Sequence, residues 1–157
     1  MKFRLGIAMV LLALQAGCGQ KKPPGSKPVS ELQRMLDSPY PEVQAQGAIG
    51  LAEHGSASAS AIPKLIEALK SSDVLVRQQT CVALGNIGPE ARVAVPKLIQ
   101  CLDDPEWAVR RQAAVALALI RPPLEEVEIP LQKCANDSNS LVKKAAQASL
   151  TELRKVQ

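Results

Sequence analysis

Aromatic side chains are almost absent: Phe3, Tyr40 and Trp107 are the only three in 157 residues. Rings supply much of the volume of a wide core. Without them the interior must be filled by Ala, Leu, Val and Ile, which suits thin layers of packed helices better than a sandwich. Histidine is scarcer still, with His54 alone. A metal site built on imidazole has no second ligand, so His54 reads as a helix-end or half-buried residue. The chain also lacks a Gly-rich phosphate loop, a Gly-x-Ser-x-Gly elbow, a Cys-x-x-Cys pair, and a Ser or Cys nucleophile beside a base. These absences remove the usual routes to catalysis, and no cofactor is expected. Charge of one sign is modest, at +4 overall, and no basic groove carries interleaved aromatics, so nucleic acid is not an expected partner.

The one long apolar run lies at residues 5–14, preceded by Lys2 and Arg4 and followed by Ala16-Gly17-Cys18. Ten residues at about 1.5 Å of rise reach roughly 15 Å, half of a bilayer core of roughly 30 Å. The segment therefore reads as an export signal over residues 1–17, removed on maturation. Without Lys2 and Arg4 the basic count falls from 19 to 17 against 15 acidic residues, which leaves about +2. Residues 18–28 contain Lys21-Lys22-Pro23-Pro24-Gly25-Ser26-Lys27 and no apolar periodicity, the composition of a solvated tether.

Residues 29–157 repeat themselves. Ile62-Pro63-Lys64-Leu65-Ile66 returns 33 positions later as Val95-Pro96-Lys97-Leu98-Ile99, and residues 29–43 stand in the same register. A unit of this size cannot bury a hydrophobic face alone and must stack on its neighbours. Leu32 and Leu36, Leu65 and Leu69, and Leu98 and Leu102 mark the buried face of first helices of roughly ten residues, opened by Pro63, Pro96 and Pro130. Second helices bury Leu51, Leu84, Leu117 and Leu150, and Gly55 and Gly88 close two of them. Asp37-Ser38-Pro39, Ser71-Ser72-Asp73, Asp103-Asp104-Pro105 and Asn136-Asp137-Ser138 make the turns and helix caps within each pair. The expected fold is all-α, a solenoid of about four helical hairpins. In the fourth unit Ile129-Pro130 arrives one residue late and Arg121-Pro122-Pro123-Leu124 replaces a Gly turn, so its first helix is expected to be short and its junction irregular.

Cys81, Cys101 and Cys134 fall at core-compatible helical positions. Cys101 and Cys134 occupy equivalent places on neighbouring helices about 8 to 10 Å apart, too far for a disulfide.

Ala61-Ile62-Pro63-Lys64-Leu65, Asp73 with Val76-Arg77, and Ala83-Leu84-Gly85-Asn86-Ile87-Gly88 resemble HEAT-like repeats, in particular the short bacterial type related to phycobilisome-lyase repeats. The resemblance implies an interaction scaffold. It also implies that Arg77 and Arg110 brace the stack against acidic turn residues such as Asp73 or Asp104; Gln44 and Lys143 stand at their position in the outer units. Iron-binding hydroxylases built from such repeats use several His-Glu pairs, whereas this chain has one Glu53-His54 in reverse order. The N-terminus resembles a bacterial lipoprotein precursor, which implies lipidation of Cys18 and attachment to an envelope membrane. Here Leu14 stands four positions before the Cys and Gln15 takes the usual Leu place.

One row remains for a partner. Ile49, Val82, Val115 and Ala148 lie 33 apart on the second helices, flanked by Gln46, Gln79 and Gln112. If they face outward they form an apolar stripe on the concave side, fit for a protein or peptide. If the helical phase is displaced by one residue they pack between helices. The expected function is a membrane-anchored, non-enzymatic interaction module of the bacterial envelope; the alternative is an accessory subunit of an enzyme, of the lyase-associated kind, without catalytic residues of its own.

Overall fold

Prolines start the helices where the backbone can spare a donor. The computed structural model describes residues 27–155; the export signal, Cys18 and the tether up to residue 26 lie outside the described residues. Within them run eight α-helices: α1 Val29–Met35, α2 Pro41–His54, α3 Ile62–Ala68, α4 Val74–Ile87, α5 Val95–Cys101, α6 Trp107–Ile120, α7 Leu124–Cys134 and α8 Ser140–Lys155. Short 3-10 helices at Gly55–Ala61 and Gly88–Ala94 precede α3 and α5, and Pro63 and Pro96 sit in the first turns of those helices. Consecutive odd and even helices pair as four hairpins, and the most extensive contacts join successive second helices, α2 to α4 to α6 to α8.

The expected leucine stations are all interior: Leu51, Leu65, Leu84, Leu98 and Leu117 are fully buried, and Leu32, Leu36, Leu69, Leu102 and Leu150 nearly so. Between second helices the side chains are small. A Cβ on Gly85 of α4 would stand 3.0 Å from Ala116 Cα in α6, and Ala83 and Ala116 are buried at equivalent stations of the two helices. Such close approach admits Gly and Ala and nothing larger without displacing a helix. Gly55 and Gly88 both take positive φ, 54° and 85°, as the helix-closing role requires.

Three expectations are corrected. First helices are shorter than ten residues: α1, α3 and α5 have seven each; before α3 and α5 the 3-10 segments take up the preceding chain, and before α1 stands the extended Pro28. The fourth is longer, not shorter, with 11 residues, since no 3-10 segment intervenes and the helix starts at Leu124. Pro130 therefore lies inside α7 rather than at its start, and its ring removes the donor that would meet the Glu126 carbonyl. The junction before α7 is irregular as expected: Arg121, at φ 55°, is left-handed where the two preceding repeats use glycine.

The bracing arginines reach forward, into the next repeat. Arg77 Nε donates to Asp104 Oδ2 at 2.7 Å and Nη2 to Oδ1 at 3.0 Å, while Nη1 donates to the carbonyls of Ser71 and Ser72 at 2.9 and 3.0 Å. Arg110 repeats this on Asp137 at 2.8 and 3.0 Å and on the carbonyls of Asp104 and Pro105. Asp73, the other expected partner, instead caps α4 by accepting the Val76 N–H at 3.0 Å. The paired side chains are only 8–17% exposed. Burial pushes the Asp104 carboxyl up, but its hydrogen bonds to Arg77 and to the Glu106 N–H outweigh that and hold it below its ordinary value. Arg110 likewise holds Asp137 low against partial burial. The other inter-repeat pairs, such as Lys133 with Asp103, are mostly exposed and worth about 0–1 kcal/mol each. Removing one partner of a rung costs more, because the remaining charge is left part-buried without its partner.

No rung joins the first two repeats. Gln44 stands at the Arg station and bonds the Ser38 carbonyl at 2.7 Å; Ser71, at the station of Asp104 and Asp137, keeps only the turn contact, accepting the Asp73 N–H at 3.2 Å. We predict that Gln44→Arg with Ser71→Asp builds the missing rung and raises stability by about 1–2 kcal/mol. Urea unfolding of the double variant measures the gain, and an unchanged or lower midpoint contradicts it.

Candidate interaction surface

Each second helix turns one line of residues away from the stack at i, i+4, i+7 and i+11, the spacing of a single helical face. In α4 the line is Leu75, Gln79, Val82 and Asn86; in α6 it is Ala108, Gln112, Val115 and Leu119. The same stations carry Glu42, Gln46, Ile49 and Glu53 in α2, and Leu141, Ala145, Ala148 and Glu152 in α8. Of the stripe read from the sequence, Ile49 and Ala148 are exposed, while Val82 and Val115 are half-buried and Val82 packs on the core. Gln79 and Gln112 are half-buried beside them and Gln46 is exposed. The stripe thus runs along the surface with its centre sunk between neighbours.

Larger apolar side chains at the rim were missed by the sequence reading. Leu75 and Leu141 are 47% and 46% exposed, and Trp107, at the start of α6, is 41% exposed. Their signal was present, because Leu75 and Leu141 stand two repeats apart at one station, but they read equally well as helix-start residues of the core. With Leu119 they widen the stripe into an apolar band.

A cleft opens at the first junction, where the rung is missing. This cleft of about 590 Å³ is lined by Asp37, Gln44, Lys64, Glu67, Lys70 and neighbours. Lys64 pairs with Asp37, and Lys70 with Glu67, so its charges cancel internally and offer little to a charged ligand.

The remaining candidates are structural. His54 ends α2, half-buried, with Nε2 at 3.0 Å from the Lys27 carbonyl. No three His, Cys, Asp or Glu side chains gather into a metal-binding group among the described residues. Cys81, Cys101 and Cys134 are free thiols and all buried. Cys81 of α4 and Cys101 of α5 interact, a pairing that spacing along the chain concealed: the interaction with Cys101, together with burial, pushes the Cys81 thiol well above its ordinary value, and the interaction with Cys81 holds Cys101 below its own. Burial also raises Cys134, whose Sγ donates to the Leu102 carbonyl at 3.5 Å. All three are enclosed, and a thiol that a reagent cannot reach does not react. We predict that a Cys18→Ser chain shows no rapid reaction with a water-soluble disulfide reagent until denatured, when three thiols react; fast native labelling contradicts the packing.

Comparison with known proteins places this geometry. No curated protein matches the sequence. Among solved structures, an engineered protein matches at 28% identity with a TM-score of 0.67, over 81% of this chain and 62% of that one. A second engineered protein matches at 27% identity with a TM-score of 0.70, over 81% and 64%. A designed armadillo repeat protein in complex with the peptide (KR)4 matches at 25% identity with a TM-score of 0.68, over 80% and 64%. The chain spans less than two thirds of the length of each of these structures. The family model described as HEAT repeats matches residues 29–95 and again 95–157, so two successive matches cover the stack of hairpins and the chain belongs to the HEAT-repeat family.

Proposed function

We propose that this chain is a non-catalytic binding module that holds a protein segment along the exposed faces of α2, α4, α6 and α8. The observation that carries the reading is the apolar band of Ile49, Leu75, Val82, Val115 and Leu119, bordered by Gln46, Gln79 and Gln112. An apolar line rimmed by amides offers a bound segment both burial and hydrogen bonds. Support comes from the fold, shared with a designed armadillo protein that was solved with a peptide. The module works at a bacterial envelope membrane, tethered through a lipid on Cys18; Ala16-Gly17-Cys18 after the apolar run at residues 5–14 supports this part.

One membrane experiment separates the two parts. Cys18→Ser is expected to release the protein from the membrane fraction and to abolish fatty-acid labelling; persistent labelling contradicts the anchor. Val82→Glu with Val115→Glu puts charge where a partner must desolvate it. Because Val82 touches the core, Leu75→Glu with Leu119→Glu serves as the exposed counterpart. Both pairs are expected to reduce partner capture from membranes at least tenfold, the second with thermal unfolding unchanged. Undiminished capture by the Leu75→Glu/Leu119→Glu chain contradicts the proposed surface.

A further inference from the structure

Charge is distributed unevenly along the exposed face. At the first repeat, Glu42 and Glu53 flank Ile49, all three exposed. At the third and fourth, Arg111 and Lys144 occupy one station a repeat apart, both exposed, where α2 has buried Ala45 and α4 half-buried Gln78. None of Glu42, Glu53, Arg111 and Lys144 joins an ion pair among the described residues. By contrast, Glu152 on the same face is paired with Lys155 at 2.7 Å. The band is therefore acidic at one end, apolar in the middle and basic at the other, with Trp107 one turn before Arg111.

We infer that the face takes a dipolar peptide segment in a single direction, its acidic end on Arg111 and Lys144 beside Trp107 and its basic end on Glu42 and Glu53. This rests on the binding surface proposed above and adds the class of partner and its orientation. Exposed charges contribute little affinity each, but their arrangement selects partner and register, since reversed docking sets like charges together. Three helix-to-helix steps of about 8 to 10 Å span roughly 24–30 Å. An extended chain at about 3.3 Å per residue covers that with roughly eight residues. The uniformly basic peptide bound by the designed armadillo protein would meet Arg111 and Lys144 with repulsion.

Trp107 is the only tryptophan, so its emission reports binding at the basic end without a label. The test titrates the Cys18→Ser chain at low salt with the peptide Glu-Glu-Leu-Ala-Leu-Ala-Lys-Lys and, separately, with (Lys-Arg)4. A saturable emission change is expected with the first peptide only, weakened at least tenfold by Arg111→Glu with Lys144→Glu and by raised salt. Equal binding of the two peptides, indifference to the charge reversal, or no response to the dipolar peptide overturns the inference. So does a response to phosphatidylglycerol vesicles that the same reversal abolishes while the dipolar peptide gives none, which assigns the basic pair to lipid. If the peptide fails but Leu75→Glu/Leu119→Glu still abolishes partner capture, only the polarity is wrong; if capture also persists, the surface itself is.

Discussion

Close approach of successive second helices is the constraint on which the rest of the molecule depends. Gly85 against Ala116, with Ala83 at the matching station, leaves no room for a larger side chain between α4 and α6. That spacing brings the turn of each repeat within reach of the second helix of the repeat before it. It also sets the outward lines of residues side by side, so that one sequence station becomes one row across the surface. The near absence of aromatics follows from the same requirement, because a layer this thin is filled by Leu, Val and Ala.

The arginine rungs turn this packing into a fixed register. Asp104 accepts the Glu106 N–H at 2.9 Å while receiving Arg77 from the repeat before, so one carboxylate holds its own turn and the neighbouring helix together. Asp137 does the same for Asn139 and Arg110. Where Gln44 and Ser71 replace the pair, the turn contact survives, the cross-link is lost, and the cleft opens. Repeats two to four are thereby locked as one platform, with repeat one joined to it by apolar packing, hydrogen bonds and the exposed Lys64–Asp37 pair. The basic end of the exposed face lies on the part joined by rungs and the acidic end on the repeat that no rung joins.

Much of this was legible in the chain itself, for physical reasons that differ by element. A repeat of 33 residues must stack, so hairpin number, buried leucines and the closing roles of Gly55 and Gly88 could be read directly. Helix ends could not, because a proline marks where a helix can start without saying whether a 3-10 turn or more helix precedes it; Pro130 looked like Pro63 and Pro96 yet lies inside α7. Rung partners were half legible: Arg77 and Arg110 announced a brace, but whether Asp73 or Asp104 received it depends on how one repeat rotates against the next. The Cys81–Cys101 contact was hidden for the same reason. Of the candidate surface, the row through Val82 and Val115 came from periodicity. The exposed Leu75, Trp107 and Leu141 did not, since an apolar residue at a helix start reads as core until the neighbouring repeat fails to cover it.

Native-state hydrogen exchange tests the stack most directly. Amides of α4 and α6, packed on both sides and tied by rungs, are predicted to exchange slowest, and those of α1 and α2, across the junction without a rung, faster. Asp104→Asn should accelerate exchange in α4 and in the turn at residues 103–106 together, because a single carboxylate holds both. Protection that is uniform along the repeats, or an Asp104→Asn chain whose α4 exchanges as in the wild type, would contradict the account.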